Sequence, residues 1–165
     1  MRVVLQRVAR ASVEIDGAIH SQIEAGLLVL LGIEPTDTQE DAEWLVKKIA
    51  ALRIFDDEKG VMNRNVVDID GQLLVVSQFT LMASYKKGNR PSYIRAARPE
   101  IAVPLYEYFV AQMEKATGKT VQTGVFGADM QVSLLNDGPV TITMDTHRKP
   151  AQSRTKRLRT GFCQV

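Results

Sequence analysis

The chain has 165 residues, a mass of 18.3 kDa and 45% hydrophobic residues, which suits one domain with a packed core and is short for two. Its net charge of +2 is uneven: residues 146–165 hold six of the 21 lysines and arginines and none of the 19 acids, so residues 1–145 carry −4. The single cysteine, Cys163, excludes an internal disulfide, and the longest apolar run, residues 27–31, is too short to cross a membrane. With no signal-peptide pattern at residues 1–15, we expect a soluble cytoplasmic protein without a membrane partner.

The first third of the chain predicts β-structure. Apolar and polar residues alternate along it, and Asp16 with Gly17 predicts a turn between strands. The next stretch is continuously apolar, which is typical of a strand buried on both faces. The predicted strands span 3–8, 11–15, 19–23 and 27–33.

Two segments have helical spacing. In residues 38–53 apolar side chains recur every three to four positions, and acids gather near the positive end of the helix dipole. Residues 101–116 predict a second helix, in which Pro104 should occupy the first turn or confine the regular part to the residues after it. Its predicted buried stripe is Ile101, Leu105, Phe109 and Met113.

The remaining strands complete an α+β pattern. They are predicted at 73–76, 120–125, 130–135 and 140–144. No glycine-rich dinucleotide motif or phosphate loop accompanies them. We therefore predict a curved, barrel-like sheet, antiparallel or mixed, backed by two main helices. This domain would cover residues 1–145, and the basic residues 146–165, which lack apolar periodicity, predict a disordered extension.

Few side chains suit acid–base catalysis or metal binding. The chain has two histidines, His20 near an early turn and His147 in the basic extension, and neither is well placed for a Ser/His/Asp triad. The His and Cys ligands of a zinc site are also lacking. We expect an activity without a metal or a cofactor.

Ser77, Gln78, Phe79 and Thr80 come directly after an apolar strand, at the point where it opens into a polar loop. Backbone N–H groups at a strand end no longer pair in the sheet and are able to bind a developing oxyanion. The alternative is that the two hydroxyls only satisfy local backbone groups.

A second segment, residues 136–139, reads Asn-Asp-Gly-Pro between two predicted strands. Such residues are common in turns, so a plain hairpin explains them. If the bond between Gly138 and Pro139 were cis, neighbouring carbonyls would point the same way and form a rigid acceptor pair for an ammonium group.

The segment 86–98 is the one basic cluster of residues 1–145. It is explained either as a solvated loop or as a phosphate-binding rim beside the Ser77 segment. Tyr85 and Tyr93 are placed either to stack on a base or merely to pack. The cations are Lys86, Lys87, Arg90, Arg95 and Arg98.

Six motifs follow one another over nearly nine-tenths of the chain: RVVLQRVARASV, GLLVLLGIE, LRIFDDEKGVMNRNV, LLVVSQFTLMA, KKGNRPSY and TGVFGADMQVSLLNDGPVT. Together they resemble the D-aminoacyl-tRNA deacylase family. The departures are small: Tyr93 stands where phenylalanine is common, and Pro104 lies in the second helix. The resemblance does not extend to residues 146–165.

The resemblance implies a homodimer that hydrolyses the ester joining a D-amino acid, or achiral glycine, to tRNA. Ser77, Gln78, Phe79 and Thr80 would line the catalytic pocket for the terminal adenosine, with backbone amides as oxyanion donors. Gly138 and Pro139, joined by a cis bond, would enter the partner subunit's pocket, bind the α-ammonium group and exclude an L side chain.

Two mechanisms remain open at this point. An aminoacyl ester is already activated, so oxyanion donors and a water oriented by the terminal ribose hydroxyl would suffice. The competing mechanism makes Thr80 a covalent nucleophile, although no general base is evident.

Two other functions are also open. One is a non-catalytic nucleic-acid-binding module that uses the 86–98 loop and the basic extension. The other is a general esterase that would accept small activated esters without tRNA.

Overall fold

The computed structural model describes residues 1–148, in which eight strands and two α-helices are present. The strands are β1 (Arg2–Ile15), β2 (Ala18–Ile23), β3 (Gly26–Gly32), β4 (Phe55–Asp56), β5 (Met62–Arg64), β6 (Gln72–Ser77), β7 (Gln122–Thr123) and β8 (Gln131–Asp145). The helices are α1 (Gln39–Ala50) and α2 (Pro99–Thr117), and two short 3-10 helices span Phe79–Met82 and Thr146–Arg148.

The long strand β1 organises the main sheet, whose order is β2-β1-β3-β6-β7 with β8 on the other side of β1. β3 and β6 are parallel, as are β6 and β7, and the pairs that involve β1 are antiparallel. The Ser21 hydroxyl of β2 donates to the Thr123 carbonyl of β7 at 2.8 Å. This contact draws the two ends of the sheet together, so the predicted α+β, barrel-like mixed sheet is confirmed.

β3 and β6 are buried on both faces, as their continuous apolar sequences predict. Leu27 and Leu73 face the helices in the larger hydrophobic cluster. Leu28 and Leu74 point to the opposite face, into a second cluster inside the curl of the sheet. Each such side chain contributes about 1.5–3 kcal/mol by leaving water. The end of β6 is therefore firmly held where it meets the loop at Ser77.

The two helices occur where the spacing predicts them, with different bounds. Thr38 is the N-cap of α1, and its backbone N–H donates to the Asp41 carboxylate at 3.0 Å. α2 begins at Pro99, two residues earlier than predicted, and Ile101 is 44% exposed rather than buried. Pro104 lies inside the helix, where its missing N–H costs only one bond near the N-terminal end.

Two pairs of predicted strands are in fact single strands. The predictions at 3–8 and 11–15 merge into β1, and those at 130–135 and 140–144 merge into β8. The reason is that β8 runs antiparallel along nearly all of β1, so one partner holds both halves. The predicted hairpin turn at 136–139 is wrong, because the chain continues through it.

The other differences concern short elements. The β4–β5 hairpin is not predicted from the sequence, and the predicted strand at 120–125 shrinks to β7. At the predicted start of the extension, the Thr146 N–H donates to the Met1 carbonyl at 2.9 Å and Thr146 is buried. The prediction of disorder for residues 149–165 lies outside the described residues.

Candidate active site

A cavity of about 270 Å³ opens where β3 and β6 end. Its walls come from these two strand ends, from the start of α2 and from the loop that precedes β8, and they are mostly apolar. The lining residues are Leu31, Ile33, Val76, Ser77, Gln78, Phe79, Ala97, Ala102, Phe126, Gly127, Ala128, Met130 and Val132. Three of the four predicted catalytic residues therefore line one cavity, and Thr80 is the next residue along the chain.

The chain turns sharply after β6. Gln78 still donates its backbone N–H to the Leu31 carbonyl at 2.8 Å, and the 3-10 helix then begins at Phe79. Gly32 makes this turn possible, because a Cβ there would approach the Gln78 carbonyl oxygen and the Leu81 Cβ to 3.0 Å. The turn is thus packed directly against β3.

Two backbone amides at this turn have no acceptor among residues 1–148. They are the N–H groups of Phe79 and Thr80, the first two residues of the 3-10 helix. The first N–H groups of any helix lack an internal partner. Beside a cavity, such donors are available to a negatively charged oxygen.

The predicted hydroxyl groups have different surroundings. The Gln78 side-chain amide donates to Thr80 Oγ1 at 2.5 Å, whereas no protein hydrogen bond involves the Ser77 hydroxyl within the described part of the chain. The interpretation that both hydroxyls serve local backbone groups is therefore not what the structure shows. Both remain close to the strand end from which the cavity opens.

The cavity contains no acid–base machinery. Its lining has no carboxylate, imidazole, amine, guanidinium or thiol side chain. The two histidines are elsewhere: His20 is exposed on β2, and His147 lies 3.4 Å from carboxylate oxygens of Glu34 and Asp37. The side chain that hydrogen-bonds to Thr80 Oγ1 is the Gln78 amide, which is not a general base.

Gly138 and Pro139 lie on a bulge of β8. Val8 of β1 pairs with Asn136, and Gln6 pairs with Thr141, so two steps along β1 face five along β8. Residues 137–140 consequently protrude from the ladder. The peptide bond between Gly138 and Pro139 is cis. Both residues are exposed.

The Arg7 side chain hydrogen-bonds to this bulge. Its Nε donates to the Asp137 carbonyl at 3.0 Å, and its Nη1 donates to the Ile54 carbonyl at 2.6 Å. The same guanidinium lies 3.3 Å from the Asp137 carboxylate and 3.5 Å from that of Asp56. Arg7 is only 6% exposed, so the bulge rests on a rigid, buried support.

The structure does not bring the two predicted parts of the site together within one chain. Gly138 and Pro139 are absent from the cavity lining, and they stand on the exposed outer strand. The cavity of one chain is therefore formed without them.

Across residues 1–148 no three His, Cys, Asp or Glu side chains are grouped closely enough to hold a metal ion. None of the helices described here has both the length and the apolar character needed to span a bilayer.

The chain is similar to known proteins over most of its length. Residues 4–145 match the family model of D-Tyr-tRNA(Tyr) deacylase. The chain belongs to this deacylase family. The match takes in both the Ser77–Thr80 turn and the bulge at Gly138 and Pro139.

Individual relatives agree with this assignment. A D-aminoacyl-tRNA deacylase of Bacteroides fragilis (strain YCH46) is 62% identical over 149 residues, which is 90% of this chain and 99% of the relative. The D-aminoacyl-tRNA deacylase of Porphyromonas gingivalis (strain ATCC BAA-308 / W83) is 64% identical with the same coverage.

Solved structures share the fold of this deacylase family member. One described as c-Myc DNA Unwinding Element Binding Protein is 44% identical, covers 88% of this chain and 98% of its own, and has a TM-score of 0.82. A probable eukaryotic D-amino acid tRNA deacylase is 17% identical over 87% of this chain and 97% of its own, with a TM-score of 0.74, and supports the fold alone.

Sequence reasoning about this deacylase missed Arg7. A signal was nonetheless present, since Val3, Leu5 and Arg7 fall on one face of β1 by the two-residue period of a strand. A cation on an otherwise apolar face indicates a buried group with dedicated partners. Phe126 and Gly127 were also missed, because no sequence pattern indicates that their loop lies beside the end of β6.

Proposed function

We propose that this chain hydrolyses the ester bond of D-aminoacyl-tRNA, and of glycyl-tRNA, in a cavity that a second copy of the chain completes. The hydrolase activity follows from membership of the D-aminoacyl-tRNA deacylase family. One observation carries the rest: the cavity stands beside two unpaired amides, while the bulge at Gly138 and Pro139 lies outside it on an exposed strand. Because its substrate is tRNA, we expect the enzyme to act in the cytoplasm.

In this proposal the catalytic segment is residues 77–80. The apolar cavity takes the terminal adenosine, and the scissile carbonyl lies at the turn, where the N–H groups of Phe79 and Thr80 bind the oxyanion. One such donor is worth about 3 kcal/mol of transition-state stabilisation. Since the ester is already activated, these donors and precise positioning of a water by the substrate's ribose hydroxyl replace a general base.

The bulge of the second copy provides chiral selection. The carbonyl groups of Gly138 and Pro139 accept hydrogen bonds from the α-ammonium group, and the backbone fills the side on which an L side chain would project. A D side chain points away, and glycine has none. Selection by backbone alone reads the direction of the side chain and not its identity.

The exposed edge of β8 supports the dimer. β8 pairs only with β1 among the described strands, so its outer edge has free backbone groups along 15 residues. Leu134 and Leu135 on this strand are 39% and 46% exposed. A long, partly apolar edge strand favours association unless another chain covers it. A second copy would both cover the edge and bring a bulge to the cavity.

The covalent mechanism requires the Thr80 hydroxyl, whereas the amide mechanism requires only the Thr80 backbone N–H. If its hydroxyl attacked the ester, Thr80→Ala would lose at least about a thousandfold in kcat. The amide mechanism predicts a loss of less than tenfold, because alanine keeps the backbone N–H. Single-turnover rates on D-Tyr-tRNA distinguish the two outcomes.

The overall proposal is tested by comparing D-Tyr-tRNA with L-Tyr-tRNA as substrates of the purified protein. We expect rapid release of D-tyrosine and a rate on the L ester close to spontaneous hydrolysis. Equal rates on both, or none on the D ester, would overturn the proposal. Rapid cleavage of small activated esters without tRNA would support the general esterase instead.

The non-catalytic nucleic-acid module is the weaker candidate, since the family is one of hydrolases. It predicts that removal of residues 146–165 abolishes most salt-sensitive RNA binding and that no turnover is seen. The deacylase keeps D-specific turnover after the same truncation. The two readouts separate the candidates.

A further inference from the structure

Residues 84–98, called here the basic segment, form a local reversal of charge. They contain five cations and no acid, whereas the rest of residues 1–145 carries −9. No Asp or Glu occurs between Asp70 and Glu100. The segment is therefore a concentrated positive patch on a negatively charged domain, and general charge balance does not account for it.

Most of these cations are free to bind a partner. Arg95 pairs with Glu34 at 2.5 Å, but the other four have no ion pair within residues 1–148 and are exposed. These four are Lys86, Lys87, Arg90 and Arg98. The lack of internal partners is what a surface for an anionic ligand requires.

The basic segment is folded and attached to the rim of the cavity. Ser84 and Ser92 exchange two backbone hydrogen bonds of 2.8 Å, which close a hairpin around residues 86–90. The Tyr93 ring meets the Phe79 ring edge-on, with centroids 5.1 Å apart. Near the other end, Ala97 lines the cavity and donates its N–H to the Ile33 carbonyl at 2.8 Å. A ligand leaving the cavity on this side meets the hairpin.

The same surface presents apolar groups to solvent. Tyr85 is 78% exposed, directly before two lysines, and Ile94 is 90% exposed. Exposed aromatic rings among cations are the combination that binds single-stranded nucleic acid, since the rings stack on bases and the cations neutralise phosphates. An acidic protein surface would use the cations and leave Tyr85 without a role.

From these observations we infer that the basic segment binds the single-stranded 3′ end of the tRNA, just before the esterified adenosine. This inference rests on the proposed function, because it takes the adenosine to lie in the cavity. The phosphates of the preceding nucleotides contact Lys86, Lys87 and Arg90, and one base stacks on Tyr85. The segment thus supplies affinity for RNA that the uncharged cavity lacks.

The test compares two substrates of different length. One is full-length D-Tyr-tRNA, and the other is the D-tyrosyl ester of adenosine, which fills only the cavity. The variant Lys86→Ala/Lys87→Ala/Arg90→Ala removes the three hairpin cations. The matched control, Lys47→Ala/Lys48→Ala/Lys115→Ala, removes three exposed cations from α1 and α2.

For the hairpin variant we expect KM on D-Tyr-tRNA to rise at least tenfold with kcat within twofold. The slope of log KM against log salt should fall by about 2, since each phosphate contact to a single strand contributes about 0.7. Tyr85→Ala should raise the same KM roughly tenfold without changing the salt slope. Neither variant should alter turnover of the adenosine ester, and the control triple should resemble the wild type.

Several results would overturn the inference. One is an unchanged KM on D-Tyr-tRNA in the hairpin variant, which would indicate that the basic segment binds another partner, such as an acidic protein. Another is a loss no larger than that of the control triple, and a third is an equal loss on the adenosine ester. A second assay measures binding of tRNA that carries no amino acid to the same variants, by fluorescence anisotropy. If no D ester is hydrolysed, the proposed function fails, but this binding assay still tests the inference.

Discussion

The cavity at the end of β6 and the bulge on β8 are built in opposite ways. The cavity is formed within one chain, at the ends of strands that are buried on both faces, and Phe79, whose backbone N–H has no acceptor among residues 1–148, lines it. The bulge protrudes from an exposed strand, and the buried side chain of Arg7 hydrogen-bonds to it. This contrast is what the proposed function builds on, since it assigns the bulge to the cavity of a second copy of the chain.

The largest expected effect comes from the cavity side. Phe79→Pro removes one of the two free N–H groups. Phe79 is the first residue of the 3-10 helix, where a helix tolerates proline, and Gln78 before it (φ −140°, ψ 80°) lies outside the α region that a following proline disfavours. We predict a loss of about 10²–10³ in kcat on D-Tyr-tRNA. The control Phe79→Ala loses the same ring but keeps the N–H, and should lose less than tenfold. Similar kcat values for the two variants would show that the amide takes no part in catalysis.

The next effect concerns the bulge. Gly138 has a φ of +125°, which an alanine rarely adopts. In Gly138→Ala the added Cβ would also approach Val140 Cγ2 to 2.9 Å and Arg7 Nη2 to 3.0 Å. Displacing the bulge by even 1 Å should lower kcat/KM on the D ester by about 10². Gly118→Ala is the control, since it has a φ of +68° but open space around it. It should lose about 1–2 kcal/mol of stability and keep its activity.

A smaller effect is expected for the support of the bulge. Arg7→Lys keeps the charge but cannot bind Asp137 and Ile54 at once, so we predict about tenfold lower kcat/KM and a fall in Tm of a few degrees. Arg10→Lys, on the same strand and exposed, should change neither quantity. Thermal unfolding together with kinetics on D-Tyr-tRNA provides the measurement. An unaltered kcat/KM in Arg7→Lys would show that catalysis does not depend on the hydrogen bonds between Arg7 and the bulge.

The smallest effect is the pH dependence. Since no titratable side chain lines the cavity, kcat/KM should show a single break, near the pKa of the substrate's α-amino group, about 7.7–8.0. Activity should fall as pH rises through this value, because in the proposed site the carbonyls of Gly138 and Pro139 would bind only the ammonium form. Rates from pH 6 to 9, corrected for spontaneous hydrolysis, test this. A bell-shaped profile would require an enzymic acid or base.

The sequence predicted the two regions unequally well. The buried strand before Ser77 followed from four apolar residues in a row, and the polar residues after it marked the strand end. For the bulge the sequence predicts a hairpin instead, because Asn, Asp, Gly and Pro favour a turn wherever they occur. Only the pairing with β1, a partner more than a hundred residues away, shows that the same strand resumes after the bulge instead of turning back.

Long-range contacts explain the other differences as well. Propensity alone did not predict the short hairpin of β4 and β5, whose stability depends on its neighbours rather than on its few residues. The resemblance to the family, by contrast, indicated Ser77–Thr80 and Gly138–Pro139 together. The structure adds Arg7, the free amides and the exposure of β8, which a sequence pattern does not specify.

The most direct test of a site shared between two copies is complementation. A heterodimer of Phe79→Pro and Gly138→Ala, purified through two different tags, would join an intact cavity to an intact bulge at one of its two sites. The account predicts about half of wild-type turnover of D-Tyr-tRNA, although each variant alone is nearly inactive. Turnover no greater than that of the separate variants, or full wild-type activity from a monomer, would contradict it.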